Sequence, residues 1–425
     1  MKKKKAPLVR RMKEFVKTSV VWGPLDHNLF FTIIFLNVYG IIMVYSASYN
    51  NSITKNYSYF MNNQLKNVIF GFAIMIVASY VNYHRIVRLG WGWFWLLAAV
   101  AIIAALKTPL AHSELGATRW IKLGPVSFQA AEPIKAAIII FFAYYVSYWG
   151  LNRWYNQVLA CLLAIALLGF LFFFSNNLST VIVLFCICAV IILSSVKKPD
   201  LYWYFLIGLA LIIIAAIGVT VYLLMHQGAE NFRFVRIRAW LHPEEYAADE
   251  GLQAMQARYA IGAGGFWGKG LGQSLIKFKL SYSYNDFILA IICEELGVFG
   301  VIVMMTLFGY LLYRIYKIAQ NAWDIEGKVL AIGVFTQIAL QLLINVMVVT
   351  SVIPTTGVTL PFFSAGGTSV VFLLAELGMV LNVDKYAKER RFFEEAERHV
   401  AQMEQRGGIG VAGWRRRLDS ARTRR

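Results

Sequence analysis

Asp286, Glu294 and Glu295 share the stretch SYSYNDFILAIICEELG, residues 281–297. Asp286 opens an apolar run long enough to enter a membrane. The two glutamates follow about two helical turns deeper, roughly 12 Å along an α-helix. Carboxylates at that depth are expensive, so they pair inside a bundle or line a wet cavity. At the outer end of a span, Asp286 suits a general base acting at a membrane surface. The competing reading of Asp286 is a helix N-cap, a role Asn285 fills equally well. Glu294 and Glu295 lie too deep to cap anything. Their candidate partners are Lys135, Arg119 and the arginines described next.

NFRFVRIRAWLHP places Arg233, Arg236 and Arg238 close together, with Arg233 and Arg236 on one face if the segment is helical. A guanidinium fork matches phosphate oxygens; pairing with the nearby acidic HPEEYAADEG is the alternative. AIGAGGFWGKGLGQS is glycine-dense, but Gly270 follows Lys269, so it is not a Walker A loop. Its glycines suit a re-entrant or tightly turned backbone, which membrane depth tolerates only when protein lines it. GATRWIKLGPVSFQAAEPIK sets Arg119, Trp120 and Lys122 just before a span, with Glu132 and Lys135 at i, i+3 in its first turn. An interfacial belt and a basic rim for an anionic head group both fit that spacing. PFFSAGGTS holds Ser364, Thr368 and Ser369 without the G-x-S-x-G of a hydrolase elbow, and reads as a turn that starts a short span.

The elements that must position these residues are hydrophobic helices. The chain has 425 residues, 59% of them hydrophobic and only 15% charged. A soluble domain carries about 25% charged residues, so this is an integral membrane protein. The net charge of +18 concentrates in MKKKKAPLVRRMKEFVK, in short loops and in GWRRRLDSARTRR. No RNA- or DNA-reading motif accompanies it, which argues against nucleic acid and for anionic lipid. Ten stretches reach span length: roughly 28–48, 66–82, 90–107, 133–150, 156–174, 178–195, 202–225, 286–315, 328–352 and 368–383. The expected fold is all-α, with about ten transmembrane helices and a large extracytoplasmic loop, 226–285, between spans seven and eight. An even count puts both termini on one side, and their basic charge makes that side cytoplasmic. The organisation is a basic segment 1–27, a membrane domain 28–383 and a charged tail 384–425. Residues 384–404 of the tail read as an amphipathic helix for membrane-surface contact or partner binding, or as a solvated face. Cys161, Cys186, Cys188 and Cys293 all lie in apolar runs without metal-ligand spacing, and read as buried, inert thiols.

Taken in order, these blocks resemble the SEDS family (shape, elongation, division and sporulation). GIIMVYSAS, GATRWIKLGPVSFQAAEPIK, FRFVRIRAWLHP, YAIGAGGFWGKGLGQS, NDFILAIICEELG, TTGVTLPFFSAGGTS and ELGMVLNV carry the resemblance across roughly residues 28–384. GKGLGQS and TLPFFSAGGTS are closer to the FtsW branch than to the RodA branch. The resemblance implies a peptidoglycan glycosyltransferase that polymerises lipid II beside a class B penicillin-binding protein, in concert with other division or elongation proteins. It implies a bacterial plasma-membrane location. The family's proposed catalytic aspartate falls on Asp286. Its basic residue of the RW block falls on Arg119, and its Glu and Lys of Q-P-x-E-x-x-K on Glu132 and Lys135. The chain departs from the family pattern where Tyr284 replaces a histidine, Asn177 an aspartate and His242 an acidic residue.

On that reading Asp286 is the catalytic base. Arg119, Trp120, Glu132, Lys135, Arg233, Arg236 and Lys269 bind substrate, and Glu294, Glu295, Ser364 and Thr368 are structural polar groups. A divalent cation, Mg²⁺ or Mn²⁺, is compatible with the substrate diphosphate, but no ligand cluster identifies it. Two rival functions stand beside the enzyme. Glu294 and Glu295 as a proton relay would suit a lipid II transporter, and a division scaffold would have no need of Asp286.

Overall fold

The computed structural model describes residues 21, 23–48, 59–109, 111–114, 117–123, 126–175, 177–196, 232–246, 250–278, 284–364 and 367–405. Long apolar helices dominate. They are α1 (His27–Ser48), α2 (Tyr59–Tyr80), α4 (Trp93–Ala105), α5 (Ala131–Trp149), α6 (Trp154–Ser175) and α7 (Leu178–Ser195), then α10 (Ile288–Gln320), α11 (Ile325–Val349) and α12 (Thr368–Gln405). The short α3 (Tyr83–Val87) lies between α2 and α4. Each span expected from the sequence coincides with one of the long helices, except 202–225, which lies outside the described residues. Among the described residues, α1, α6, α7, α10 and α11 are long and apolar enough to cross a membrane by length and composition.

The helices pack as a bundle around α5. Nearly every residue of α5 from Ile134 to Val146 is buried, the signature of a helix enclosed on all sides. Its neighbours turn one face inward and leave the other bare: Leu162, Ile165 and Phe173 of α6 and Ile69, Phe70 and Val77 of α2 are exposed. In lipid such faces are the ones that meet the acyl chains. α1 and α10 run antiparallel, with Asp26 against Arg314 at one end, Tyr39 Oη donating to Gly300 O at 3.1 Å midway, and Ser46 donating to Glu295 at the other. α2 and α12 run parallel. Their glycines allow the close approach: a Cβ on Gly378 would lie 2.5 Å from Met75 O.

The structure amends the expected all-α fold in several places. The segment 108–132, leading into α5, is not all helix and loop. It folds as an antiparallel meander of β1 (Ala111–Glu114), β2 (Ala117–Leu123) and β3 (Val126–Gln129), in spatial order β1-β2-β3. Trp120 pairs with His112 on one side and Gln129 on the other. The described part of the expected loop 226–285 contains two helices, α8 (Phe232–Leu241) and α9 (Glu250–Gly264). The tail does not begin afresh at residue 384, because α12 is one helix of 38 residues that runs through that boundary. Of the four free cysteines only Cys188 is fully buried; Cys161, Cys186 and Cys293 are partly accessible.

Candidate functional site

Asp286 lies half-buried in a turn, residues 284–287, immediately before α10. The N-cap position of α10 is Phe287, with no side-chain capping bond, so neither Asp286 nor Asn285 is the cap. The turn is held instead by its carbonyls. Asn345 Nδ2 donates to Asp286 O at 2.9 Å and to Val358 O at 2.9 Å. Ser364 Oγ donates to Asn285 O at 2.8 Å and accepts from Leu360 N–H at 2.8 Å. Thus α11 and the irregular segment 353–364 grip the aspartate's backbone from the far side of the sequence. Tyr284 packs on Phe60 of α2, ring centroids 4.4 Å apart.

The same segment lines a small polar cavity. Its wall includes Glu132 and Lys135 of α5, Asn177, Ser179 and Thr180 of α7, and Gln341 of α11. Glu132 and Lys135 are both buried and paired at 2.9 Å. Glu376 of α12 lies within electrostatic reach of both and accepts from Gln337 Nε2 at 2.8 Å. Asn177 is the N-cap of α7, its Oδ1 accepting from Thr180 N–H at 3.4 Å. A second opening against this wall is lined by Ser364 and Ser369, joining the cavity to the residues that hold Asp286. Strand alternation on β2 puts Trp120 and Lys122 on one face and the buried Ile121 on the other. Arg119 lies on β2, and Thr368 is the first residue of α12.

Glu294 and Glu295 are completely buried, and their partners differ from those expected. Lys135 is paired with Glu132 instead. Glu294 pairs with Lys269 at 2.8 Å, accepts from Ser274 Oγ, and accepts from the N–H groups of Leu275 and Ile276 at 3.2 and 3.3 Å. Glu295 accepts from Ser46 Oγ and from Ser274 N–H at 3.3 Å, with Lys277 Nζ 3.6 Å away. Lys269, read in sequence as a substrate cation, therefore has its charge matched inside the protein.

The glycine-rich segment explains this geometry. α10 is broken at Gly297, whose φ of 64° and ψ of −163° no helix permits. The backbone groups that the break releases bond to the glycine segment instead. Lys269 and Gly270 N–H donate to Glu294 O and Glu295 O, both at 2.9 Å, while Val298 and Phe299 N–H donate to Gly265 O and Phe266 O at 3.0 and 3.1 Å. Residues 264–270 are thus spliced into the helix on one side, while Phe266 and Trp267 stay exposed on the other.

Arg236 is half-buried on α8, and Trp240 Nε1 anchors that helix to Ser351 O at 2.9 Å. Arg233 precedes it by three residues on the same helix. Sequence reasoning overlooked Asn345, Ser274, Lys277 and Glu376. Asn345 and Glu376 had a signal, each being a lone polar residue in an apolar run (LLINVMVV and FLLAELG).

A bundle of long apolar helices with a polar cavity at one end, lined by Glu132 and Lys135, defines a multi-pass membrane protein whose polar site lies among its helix ends. The chain belongs to the FtsW/RodA/SpoVE family, whose model, described as "Cell cycle protein", matches residues 26–389. A Bacillus subtilis relative named "Probable peptidoglycan glycosyltransferase FtsW" is 32% identical over 371 residues, 85% of this chain and 91% of the relative. "Stage V sporulation protein E" of the same organism is 33% identical over 372 residues, 84% and 96% of the two chains. Among solved structures, a chain from a study described as "Structural coordination of polymerization and crosslinking by a peptidoglycan synthase complex" superposes with a TM-score of 0.72 at 22% identity, over 86% of this chain and 99% of that one. The Thermus thermophilus rod shape determining protein RodA gives 0.61 at 22% identity, over 85% and 97%.

Proposed function

We propose that the protein is a peptidoglycan glycosyltransferase that polymerises lipid II into β-1,4-linked glycan strands, with Asp286 as its catalytic base. The observation that carries this reading is the placement of Asp286. It is a half-buried carboxylate in a turn held by Asn345 and Ser364, and Ser364 lines an opening shared with Glu132. The names of the relatives support the same chemistry.

In the reaction the acceptor's 4-hydroxyl attacks C1 of the donor sugar. Asp286 accepts the hydroxyl proton as the new C–O bond forms, and the bond to the diphosphate breaks, releasing undecaprenyl diphosphate. Direct displacement inverts the α-linked donor to a β link. The leaving diphosphate needs positive charge, which Arg119, Arg233 and Arg236 supply in this reading. Among the described residues no three His, Cys, Asp or Glu side chains converge as a metal site. A Mg²⁺ or Mn²⁺ ion would take most of its ligands from the diphosphate, with Asp286 the candidate carboxylate, and would supply charge neutralisation there.

The protein sits in the plasma membrane with both termini cytoplasmic, a placement supported by the basic residues of 1–27 and 413–425. The sequence supports ten spans, and a class B penicillin-binding protein is the partner that cross-links the product.

Purified protein with that partner and labelled lipid II tests the reading. Polymer is expected; translocated lipid without polymer, or neither, would replace it with a transporter or a scaffold. Asp286→Asn keeps side-chain size and touches no helix cap. It should bind lipid II normally and lose about 10²- to 10⁴-fold of polymerisation. Robust polymerisation by this variant would end the assignment of Asp286.

A further inference from the structure

A buried polar group without partners sits on α2, whose Phe60 packs on the turn that carries Asp286. Among the described residues, Gln64 is 1% exposed and neither its amide nitrogen nor its amide oxygen has a hydrogen-bond partner. Other buried amides are half-satisfied. Asn37 Nδ2 donates to Ile33 O at 2.8 Å, Gln337 Nε2 to Glu376 at 2.8 Å, and Asn345 Nδ2 to two carbonyls. Gln64 alone among the side chains with orphaned buried atoms has both ends of its amide unmatched. A fully buried amide with no partner is costly, and one that persists calls for a ligand-side explanation.

The position of Gln64 says which ligand. It sits on α2 one turn from Phe60 and one turn from Asn67, on the face they share. Phe60 packs on Tyr284, two residues before Asp286. Asn67 Nδ2 lies 3.5 Å from where a methyl on Gly367 would stand. Gln64 is therefore bracketed by the turn that carries Asp286 and by the start of α12. Each of those two elements carries a further orphaned atom: Asn285 Oδ1 in the turn and Thr368 Oγ1 at the first residue of α12. The three groups are uncharged. An amide, an amide oxygen and a hydroxyl offer donors and acceptors together, which suits a neutral group that both donates and accepts, such as a sugar hydroxyl or acetamido group. They do not suit a diphosphate, which calls for cations.

We propose that Gln64, with Asn285 and Thr368, forms a saccharide-reading subsite next to Asp286. Gln64 contacts the sugar portion of lipid II, and the orphaned amide of the substrate-free protein is matched when that sugar arrives. The inference rests on the proposed lipid II reading, but the two fail separately. If the wild-type protein makes no polymer, the function is wrong; if it does, the following variant decides the subsite.

Gln64→Met has nearly the same shape without the amide. Full-length protein is purified with its synthase partner, and three quantities are measured: the unfolding midpoint without substrate, the affinity for lipid II, and the affinity for undecaprenyl diphosphate, which lacks sugars. The subsite requires a midpoint equal to or above the wild type, because an unmatched amide has been removed. It requires lipid II affinity to fall about three- to tenfold, one neutral hydrogen bond's worth, while undecaprenyl diphosphate binds unchanged. Unchanged lipid II affinity overturns the proposal. So does an equal loss for both ligands, and so does a lowered midpoint, which would mark Gln64 as a packing residue.

Discussion

Glu294 accepts hydrogen bonds from Lys269, Ser274, Leu275 and Ile276, all within one short stretch of chain. Four donors around one buried carboxylate explain how the charge survives at that depth. They also argue against a proton relay, since a relay group must shed its partners to move a proton. Glu294→Gln retains one oxygen acceptor and loses the ion pair; Lys269, a third exposed, can turn to water. Glu294→Leu leaves the Ser274 hydroxyl and two backbone N–H groups unmatched. Thermal unfolding should show the glutamine variant mildly destabilised, by about 1–2 kcal/mol, and the leucine variant by about 3–5 kcal/mol. Equal midpoints would mean the network contributes nothing. Sequence alone showed that Glu294 had to pair. It could not name Lys269, because the path that brings residues 269–276 to the helix depends on a helix break. Arg236 belongs to the same scale. Its half-buried guanidinium on α8 should be worth about ten- to a hundredfold in lipid II affinity, so Arg236→Ala with wild-type affinity would remove it from the diphosphate site.

α10 looks in sequence like one continuous apolar run and is two helices joined at Gly297. The join holds because residues 264–270 replace the missing turn with their own N–H and C=O groups. Two backbones this close leave no room for a Cβ. One on Gly297 would lie 2.4 Å from Gly268 N, and one on Gly268 would lie 2.2 Å from Glu295 O. Both glycines also have positive φ, 64° and 75°. Gly297→Ala should therefore cost at least about 1–3 kcal/mol. Because the first half of α10 follows directly on Asp286, it should lower polymerisation even where the protein still folds. A variant with the wild-type midpoint and rate would show the splice to be incidental. The glycine density of this segment was legible as turned backbone; its docking site was not. The meander was also hidden. β1 and β3 are four residues each, too short for a period-2 pattern to stand out from a loop. α12 was divided in sequence at residue 383, where hydropathy falls. Polarity changes there, but no Pro or Gly follows before Gln405 to stop a helix.

At the scale of the whole molecule the bundle is tied at both ends by polar groups, in different ways. The end with Asp286 holds a polar cavity lined by Glu132, Lys135 and Gln341. The opposite end is closed on itself. Asp324, the N-cap of α11, accepts from Gly327 N–H at 2.8 Å and from Tyr83 Oη at 2.8 Å, with His84 Nε2 at 2.6 Å. Arg88 pairs with the buried Glu326 at 2.8 Å, and Asn382 of α12 accepts from Tyr83 N–H at 3.0 Å. These contacts lock α3, α11 and α12 together at this end of the bundle. Burial alone would push the Asp324 carboxyl up, but the hydrogen bonds from His84, Gly327 and Tyr83 outweigh it and hold it below the ordinary carboxylate range. A depressed carboxyl stabilises the fold fully above its unfolded value, near pH 4, and loses that contribution as pH falls through the lower folded value. Asp324→Asn keeps an oxygen that can cap α11 but removes the charge facing His84. Its unfolding midpoint should sit below the wild type's at neutral pH, and the gap should close as pH drops below about 4. A gap that persists unchanged in acid would mean that Asp324 acts through its shape and not its charge, and the base of the bundle would then have to be held by Glu326 and Asn382 instead.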